Sequence, residues 1–211
     1  MLGGKYMEFS CANCAVTNCD AGDKSYPDFC LTTKLSDQQV EEVIAMYEDE
    51  ENQKIMFAAA GIEYEFYSKW TRLEETIEFG KRIGAKRIGI ATCVGLINET
   101  RILNKILTHH GFEVFGVACK VGAIDKTKVG LDPAYKKVGK NACNPIMQAK
   151  LLAEAGTDLN IVMGLCVGHD SLFYKYSKTT TTTLVAKDRV LGHNPAAAIY
   201  TSCSYYNKLL K

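Results

Sequence analysis

Ile88-Gly89-Ile90-Ala91-Thr92-Cys93 runs through apolar residues and stops on a cysteine. The chain repeats the device in Val114-Phe115-Gly116-Val117-Ala118-Cys119 and in Ile161-Val162-Met163-Gly164-Leu165-Cys166. Each cysteine leads into Val-Gly: Cys93-Val94-Gly95, Cys119-Lys120-Val121-Gly122 and Cys166-Val167-Gly168. Continuous apolar runs separated by helical patterns read as buried parallel strands. Parallel strands deliver their carboxyl ends to one edge, where ligands bind. Three thiols brought to one edge by one device point to a single site, and thiols point to a metal.

Working outward, the interval before Cys93 is helical. Ser36 with Gln39 and Thr71 with Glu74 have the spacing of capping boxes. Val40, Val43, Ile44 and Tyr47 follow helical period after the first of these, a second helix is expected over about 52–66, and Gly84 stops the third. After Cys93 a helix is expected over about 98–110. Asn144-Pro145 opens another that ends at Gly156, since Asn caps and Pro suits the first helical turn. A short helix is expected over about 169–176, a fourth strand at Leu184-Val185-Ala186, and a last helix after Asn194-Pro195. The order of elements predicts an α/β fold: a sheet of four or more mainly parallel strands layered by helices. The organisation expected is a cysteine-rich segment over 1–34, a helical segment over 35–84 packing on the core, and an α/β domain over 85–211.

Composition narrows the function. The chain has 211 residues, with 25 basic and 24 acidic side chains and a formal net charge of +1. That balance offers no surface for nucleic acid or membrane. Met1-Leu2-Gly3-Gly4-Lys5-Tyr6 lacks the apolar run of a signal peptide, and no stretch reaches the roughly 20 apolar residues of a membrane span. A cytoplasmic protein is expected; its oligomeric state is not legible. Nine cysteines in a reducing compartment point to metal or redox chemistry rather than disulfides.

The cysteines fall into two sets. Cys11, Cys14, Cys19 and Cys30 follow Cys-x2-Cys-x4-Cys-x10-Cys among Gly, Asn, Asp and Ser without periodicity. Four thiolates suit tetrahedral zinc or an iron–sulfur cluster, and the spacing does not separate them. The alternative is a knob that only shapes the N-terminus. The second set is Cys93, Cys119 and Cys166 with Cys143, which precedes the Asn144-Pro145 helix start. A helix N-terminus lowers a thiol's pKa and favours anionic groups. These four are expected to hold an iron–sulfur cluster, preferably [4Fe–4S]. Taken singly, each reads as a small core residue, because free cysteine is often buried; the shared flanks argue otherwise. Cys203 reads as a packing residue in an apolar helix.

His169 and Asp170 follow Gly168 at the crevice mouth, as acid/base and orienting residue, while Asp170 equally suits a helix N-terminus. His109, His110 and His193 read as helix-end and turn residues. The threonines from Thr179 read as strand formers. The lysine-bearing loop from Lys120 to Asn141 exceeds an ordinary structureless connection, which favours a lid or binding loop; its lysines suit an anion, although a solvated charged loop is the more frequent outcome. Glycine-rich nucleotide motifs and a serine nucleophile elbow are absent from the sequence.

Cys11-Ala-Asn-Cys14, Ala118-Cys119-Lys120-Val121-Gly122, Cys143-Asn144-Pro145, Leu165-Cys166-Val167-Gly168-His169-Asp170 and Lys187-Asp188-Arg189-Val190-Leu191-Gly192-His193-Asn194-Pro195 together resemble a family of uncharacterised metal-binding proteins. That family occurs largely in anaerobic bacteria and archaea, and the likeness covers nearly the whole chain. The resemblance implies metal binding and no particular reaction; an anaerobic setting suits an oxygen-sensitive cluster. The reading expected is therefore redox or sulfur chemistry on a small anionic molecule. Two alternatives stand beside it: a zinc-stabilised binding or sensor protein without catalysis, and a metal-independent thiol enzyme using Cys143.

Overall fold

The structure, a computed structural model, describes residues 10–211. The Met1–Tyr6 stretch and the first nine residues of the expected 1–34 segment lie outside the described residues. The chain forms two compact units, divided between Phe57 and Ala58.

The N-terminal unit contains a 3-10 turn at Cys11–Asn13, helix α1 (Asn18–Ala21), a second 3-10 turn at Leu31–Lys34 and helix α2 (Asp37–Met46). The Ser36 side chain accepts from the Gln39 N–H, and the Gln39 side chain accepts from the Ser36 N–H, the capping box legible in the sequence. Helix α3 (Glu50–Phe66) crosses the boundary between the units.

In the second unit, helix α4 (Arg72–Arg82) starts on the Thr71–Glu74 capping box. Strand β1 (Arg87–Thr92) leads through helix α5 (Ile97–His109) to β2 (Glu113–Ala118). Helix α6 (Pro145–Glu154), β3 (Leu159–Met163), helix α7 (His169–Tyr176), β4 (Thr181–Val185) and helix α8 (Ala196–Tyr200) follow. The four strands form one sheet in the order β2-β1-β3-β4, and every pairing is parallel. The fold class is therefore the α/β sheet layered by helices that the sequence predicts.

Alternation along the strands sorts the two faces. Ile88, Ile90, Ile161 and Met163 pack with Ile77 of α4 and Leu103 and Leu107 of α5. Ala91, Val117 and Val162 pack with Ala149 and Leu152 of α6 and Phe173 of α7 on the other face. Gly89 permits this second packing, because a Cβ there would collide with the Asn160 side chain and press on Leu152 and Thr157. The chain runs from β1 outward to β2, then crosses back over β1 to β3. The point where the winding reverses lies between β1 and β3, and such a point opens a crevice at the strands' carboxyl ends.

Several expectations shift in detail. The third strand ends at Met163, not at Cys166: Gly164 turns the chain with φ 67°, and its N–H bonds the Val185 carbonyl at 2.8 Å. The fourth strand reaches back into the threonine run, where β-branched residues suit it. Asn144 caps α6 through Met147 N–H at 3.2 Å, but at α8 the N-cap position falls on Pro195, whose side chain has no acceptor to offer. Helix α8 stops at Tyr200, so Cys203 lies exposed in the turns beyond it rather than in an apolar helix. The Lys120–Asn141 loop is ordered by 3-10 turns at Lys126–Val129 and Pro133–Val138, a bridge from Asp125 to Asn141, and an Asp125–Lys136 ion pair at 2.8 Å.

Candidate metal centre

Three of the four expected crevice thiols lie in one buried cluster, and two of them, Cys119 and Cys143, share a hydrogen bond. Cys93 follows β1 directly and Cys119 follows β2 directly, so the β1–β2 pairing of Thr92 with Ala118 sets the two cysteines side by side. Both are buried, at 8% and 2% exposure. Cys143 is half-buried and comes in on the loop before α6; the Asn144 N–H that follows it bonds the Cys119 carbonyl at 2.7 Å. That bond ties the start of α6 to the end of β2 and brings the Cys143 sulfur onto Cys119.

The 3-10 turn Val94–Leu96 aims backbone donors at this group. Val94 N–H points at Cys119 Sγ and Gly95 N–H at Cys93 Sγ, each at 3.4 Å. Donors of this kind stabilise sulfur that carries negative charge, whether a thiolate or a cluster ligand.

The charge is distributed unequally. Cys119 donates its thiol hydrogen to Cys143, and this bond, with burial, pushes the Cys119 pKa far up. The same bond, with others from His169 and Lys120, holds Cys143 well below the ordinary thiol range. His169 in turn is raised above its usual value, chiefly by its hydrogen bond to Cys143, against the opposing effect of burial. Lys120 also donates to the Asn141 carbonyl at 2.7 Å, which fixes its ammonium beside the thiolate.

Cys166 is not part of these sulfur contacts. It lies three residues past the end of β3, and its Sγ accepts from the Arg189 guanidinium at 2.8 Å. Asp170 sits at the start of α7, where its Oδ1 accepts from the Ser171 N–H at 2.7 Å; its charge only adds to the rise of the His169 pKa. Among the described residues, no group of three or more His, Cys, Asp or Glu is gathered closely enough to hold a single metal ion. Among them too, no helix is long and apolar enough to cross a membrane.

Residues 30–184 match the family described as a protein of unknown function, DUF1847. The chain belongs to this family. Its curated relatives include the uncharacterised protein MJ0455 of Methanocaldococcus jannaschii, 52% identical over 183 residues, which are 86% of this chain and 94% of the relative. The archaeal, uncharacterised family expected from the motifs is thus the one found. Among solved structures, two of Dph2 from Pyrococcus horikoshii superpose loosely. The one described with a 4Fe–4S cluster gives a TM-score of 0.36 at 20% identity, over 66% of this chain and 33% of that one. The other gives 0.37 at 17%, over 66% and 32%. This chain spans about a third of their length. At that level of likeness nothing about ligand or reaction passes from Dph2 to a DUF1847 chain.

Three residues at the crevice escape a reading by motif. Lys187 Nζ stands 3.6 Å and 3.8 Å from where Cβ atoms of Gly95 and Gly164 would lie, over the ends of β1 and β3. Arg189 reaches Cys166 from the same segment. Both belong to the Lys187–Pro195 stretch that resembles the family, yet a lysine and an arginine in a loop carry no spacing that marks them. Gln148 on α6 is fully buried, and its amide nitrogen bridges the carbonyls of Thr92 at 3.1 Å and Val117 at 2.7 Å. It clamps the ends of β1 and β2, just before Cys93 and Cys119, while its Oε1 has no partner.

Proposed function

We propose that the crevice is a thiolate-ligated cofactor site and that the cofactor is an iron–sulfur cluster. The observation that carries this reading is the Cys119–Cys143 sulfur pair with Cys93 in the same buried cluster, brought from three separate segments, and backbone N–H groups aimed at Cys93 and Cys119. Packing alone does not require three thiols at one point. The donor set fits: sulfur ligands suit iron–sulfur clusters, and hydrogen bonds to the sulfurs tune them.

Cys93, Cys119 and Cys143 would hold the cluster, with Cys166 a fourth ligand once it leaves Arg189. Three ligands leave one iron position free for a substrate. The cluster supplies electron transfer or, at an open iron, a Lewis acid. The chain's own residues supply the rest. His169 is placed to hold a proton at the crevice mouth. Lys187, over the strand ends, and Lys120, beside Cys143, give a positive field that suits a small anionic molecule. The reaction class that fits is redox or sulfur chemistry on such an anion.

Anaerobic preparation of the full chain, with iron and sulfide determined against the Cys119→Ser/Cys143→Ser variant, tests this. Iron and sulfide that fall in the variant support it; zinc alone, or metal content that the substitutions leave unchanged, contradicts it.

One observation favours a second reading. Cys143 is held as a thiolate by Cys119, His169 and Lys120, which is also the environment of a nucleophile. In that case the purified protein carries no crevice metal, and Cys143 alone is trapped by an electrophile in stoichiometric amount.

A further inference from the structure

The N-terminal cysteines form a site of their own. Cys11 opens a 3-10 turn, and the Cys14 N–H closes it on the Cys11 carbonyl at 3.1 Å, which folds the Cys-x2-Cys segment into one loop. Cys19 rides on α1. Cys30 stands at the start of the turn Leu31–Lys34, where the hydroxyl and N–H of Thr32 donate to its sulfur. All four cysteines line a single cavity of about 180 Å³, whose wall is part apolar, from Val16, Tyr26, Pro27 and Phe29, and part polar.

Two further observations favour a ligand in that cavity. No residue from Ser10 to Phe57 is buried, so the described part of this unit has no apolar core to hold its shape. Yet Thr17 and Lys24 are held at φ 50° and 62°, conformations that cost roughly 1–2 kcal/mol each for such residues. A segment this short without a core is usually stapled by a metal or by disulfides.

We propose that this cavity is a metal site independent of the crevice and that it takes a four-cysteine iron–sulfur cluster. The room in the cavity favours a cluster over a single ion. Zinc–sulfur bonds of about 2.3 Å would draw four sulfurs into mutual contact and close the space. Space for several water molecules, at about 30 Å³ each, suits a body of several iron and sulfide atoms. The apolar wall of Tyr26, Pro27 and Phe29 keeps solvent from one side of it.

The test uses the full chain prepared without oxygen. Iron and sulfide are measured in the unmodified protein, in Cys11→Ser/Cys14→Ser, and in the crevice variant Cys119→Ser/Cys143→Ser. The N-terminal variant is expected to lose one cluster's worth, about four iron and four sulfide if the cluster is [4Fe–4S], whatever the crevice holds. If the crevice carries no metal, the crevice variant keeps all its iron while the N-terminal variant loses all of it, so the two proposals fail separately. A second measurement needs no variant. Cys11, Cys14, Cys19 and Cys30 should resist alkylation in the native protein and become reactive together when a chelator strips the iron without oxygen. Release of zinc instead, immediate alkylation of the four thiols, or two disulfides in the anaerobic protein would overturn the proposal.

Discussion

The Sγ of Cys143 accepts a hydrogen bond from the thiol of Cys119, although one precedes α6 and the other ends β2. The bond makes one sulfur a held proton and the other a held charge. With cofactor removed, iodoacetamide should therefore label Cys143 well ahead of Cys93 and Cys119 at neutral pH, as peptide mapping would show. Equal labelling of the three would contradict the arrangement.

Gln148 is the clamp beneath the two buried cysteines. Gln148→Leu keeps the volume but strips donors from the carbonyls of Thr92 and Val117. The Thr92 carbonyl keeps its bond from the Cys119 N–H, so the loss falls chiefly on the Val117 carbonyl, at about 1–3 kcal/mol, partly offset by removal of the orphaned Oε1. Thermal melting should fall by several degrees, and iron retention at the crevice should fall with it. A variant that melts normally and holds iron normally would remove Gln148 from the account.

Gly89→Ala tests the packing of β1 on α6. The added Cβ meets Asn160 and lies 3.1 Å from both Leu152 and Thr157. Overpacking of this kind costs about 1–3 kcal/mol. Denaturant unfolding should show the loss, and an unchanged midpoint would mean that β1 and α6 are farther apart than described.

Asp158 supplies a pH-dependent contribution. Its Oδ2 accepts from the N–H groups of Lys86 and Arg87 at 2.8 Å each, and the Arg87 bond chiefly lowers its pKa. A carboxylate lowered in the folded state stabilises the fold above its unfolded pKa, about 3.9. That contribution is lost as pH falls through the lower folded value. Asp158→Asn should cost about 1 kcal/mol at pH 7, given the residue's exposure, and the difference from wild type should vanish in acid. A difference that grows in acid would reverse the assignment.

Much of this was legible in the sequence. The apolar runs ending at Cys93 and Cys119, and the caps at Ser36, Thr71 and Asn144, depend on local chemistry, and the structure keeps them. The third run misleads because Gly164-Leu165 continues it in composition but not in geometry: a left-handed glycine ends the pairing, and Leu165 is buried past the strand. Cys166 consequently meets Arg189 and not the other sulfurs. Asn194-Pro195 copies the text of Asn144-Pro145 but not its register: Pro145 is the first residue of α6, whereas Pro195 stands at the N-cap of α8 and leaves Asn194 outside it. Lys187 and Gln148 were invisible for a different reason. Their positions follow from strand order, and the reversal of winding between β1 and β3 is not written in any local pattern.

The crevice cluster itself is tested most directly by a crystal structure of the protein grown without oxygen, with anomalous data collected at the iron edge. The account predicts an iron peak bounded by the sulfurs of Cys93, Cys119 and Cys143. Three free thiols with no anomalous density among them, or a disulfide between Cys119 and Cys143, would contradict it.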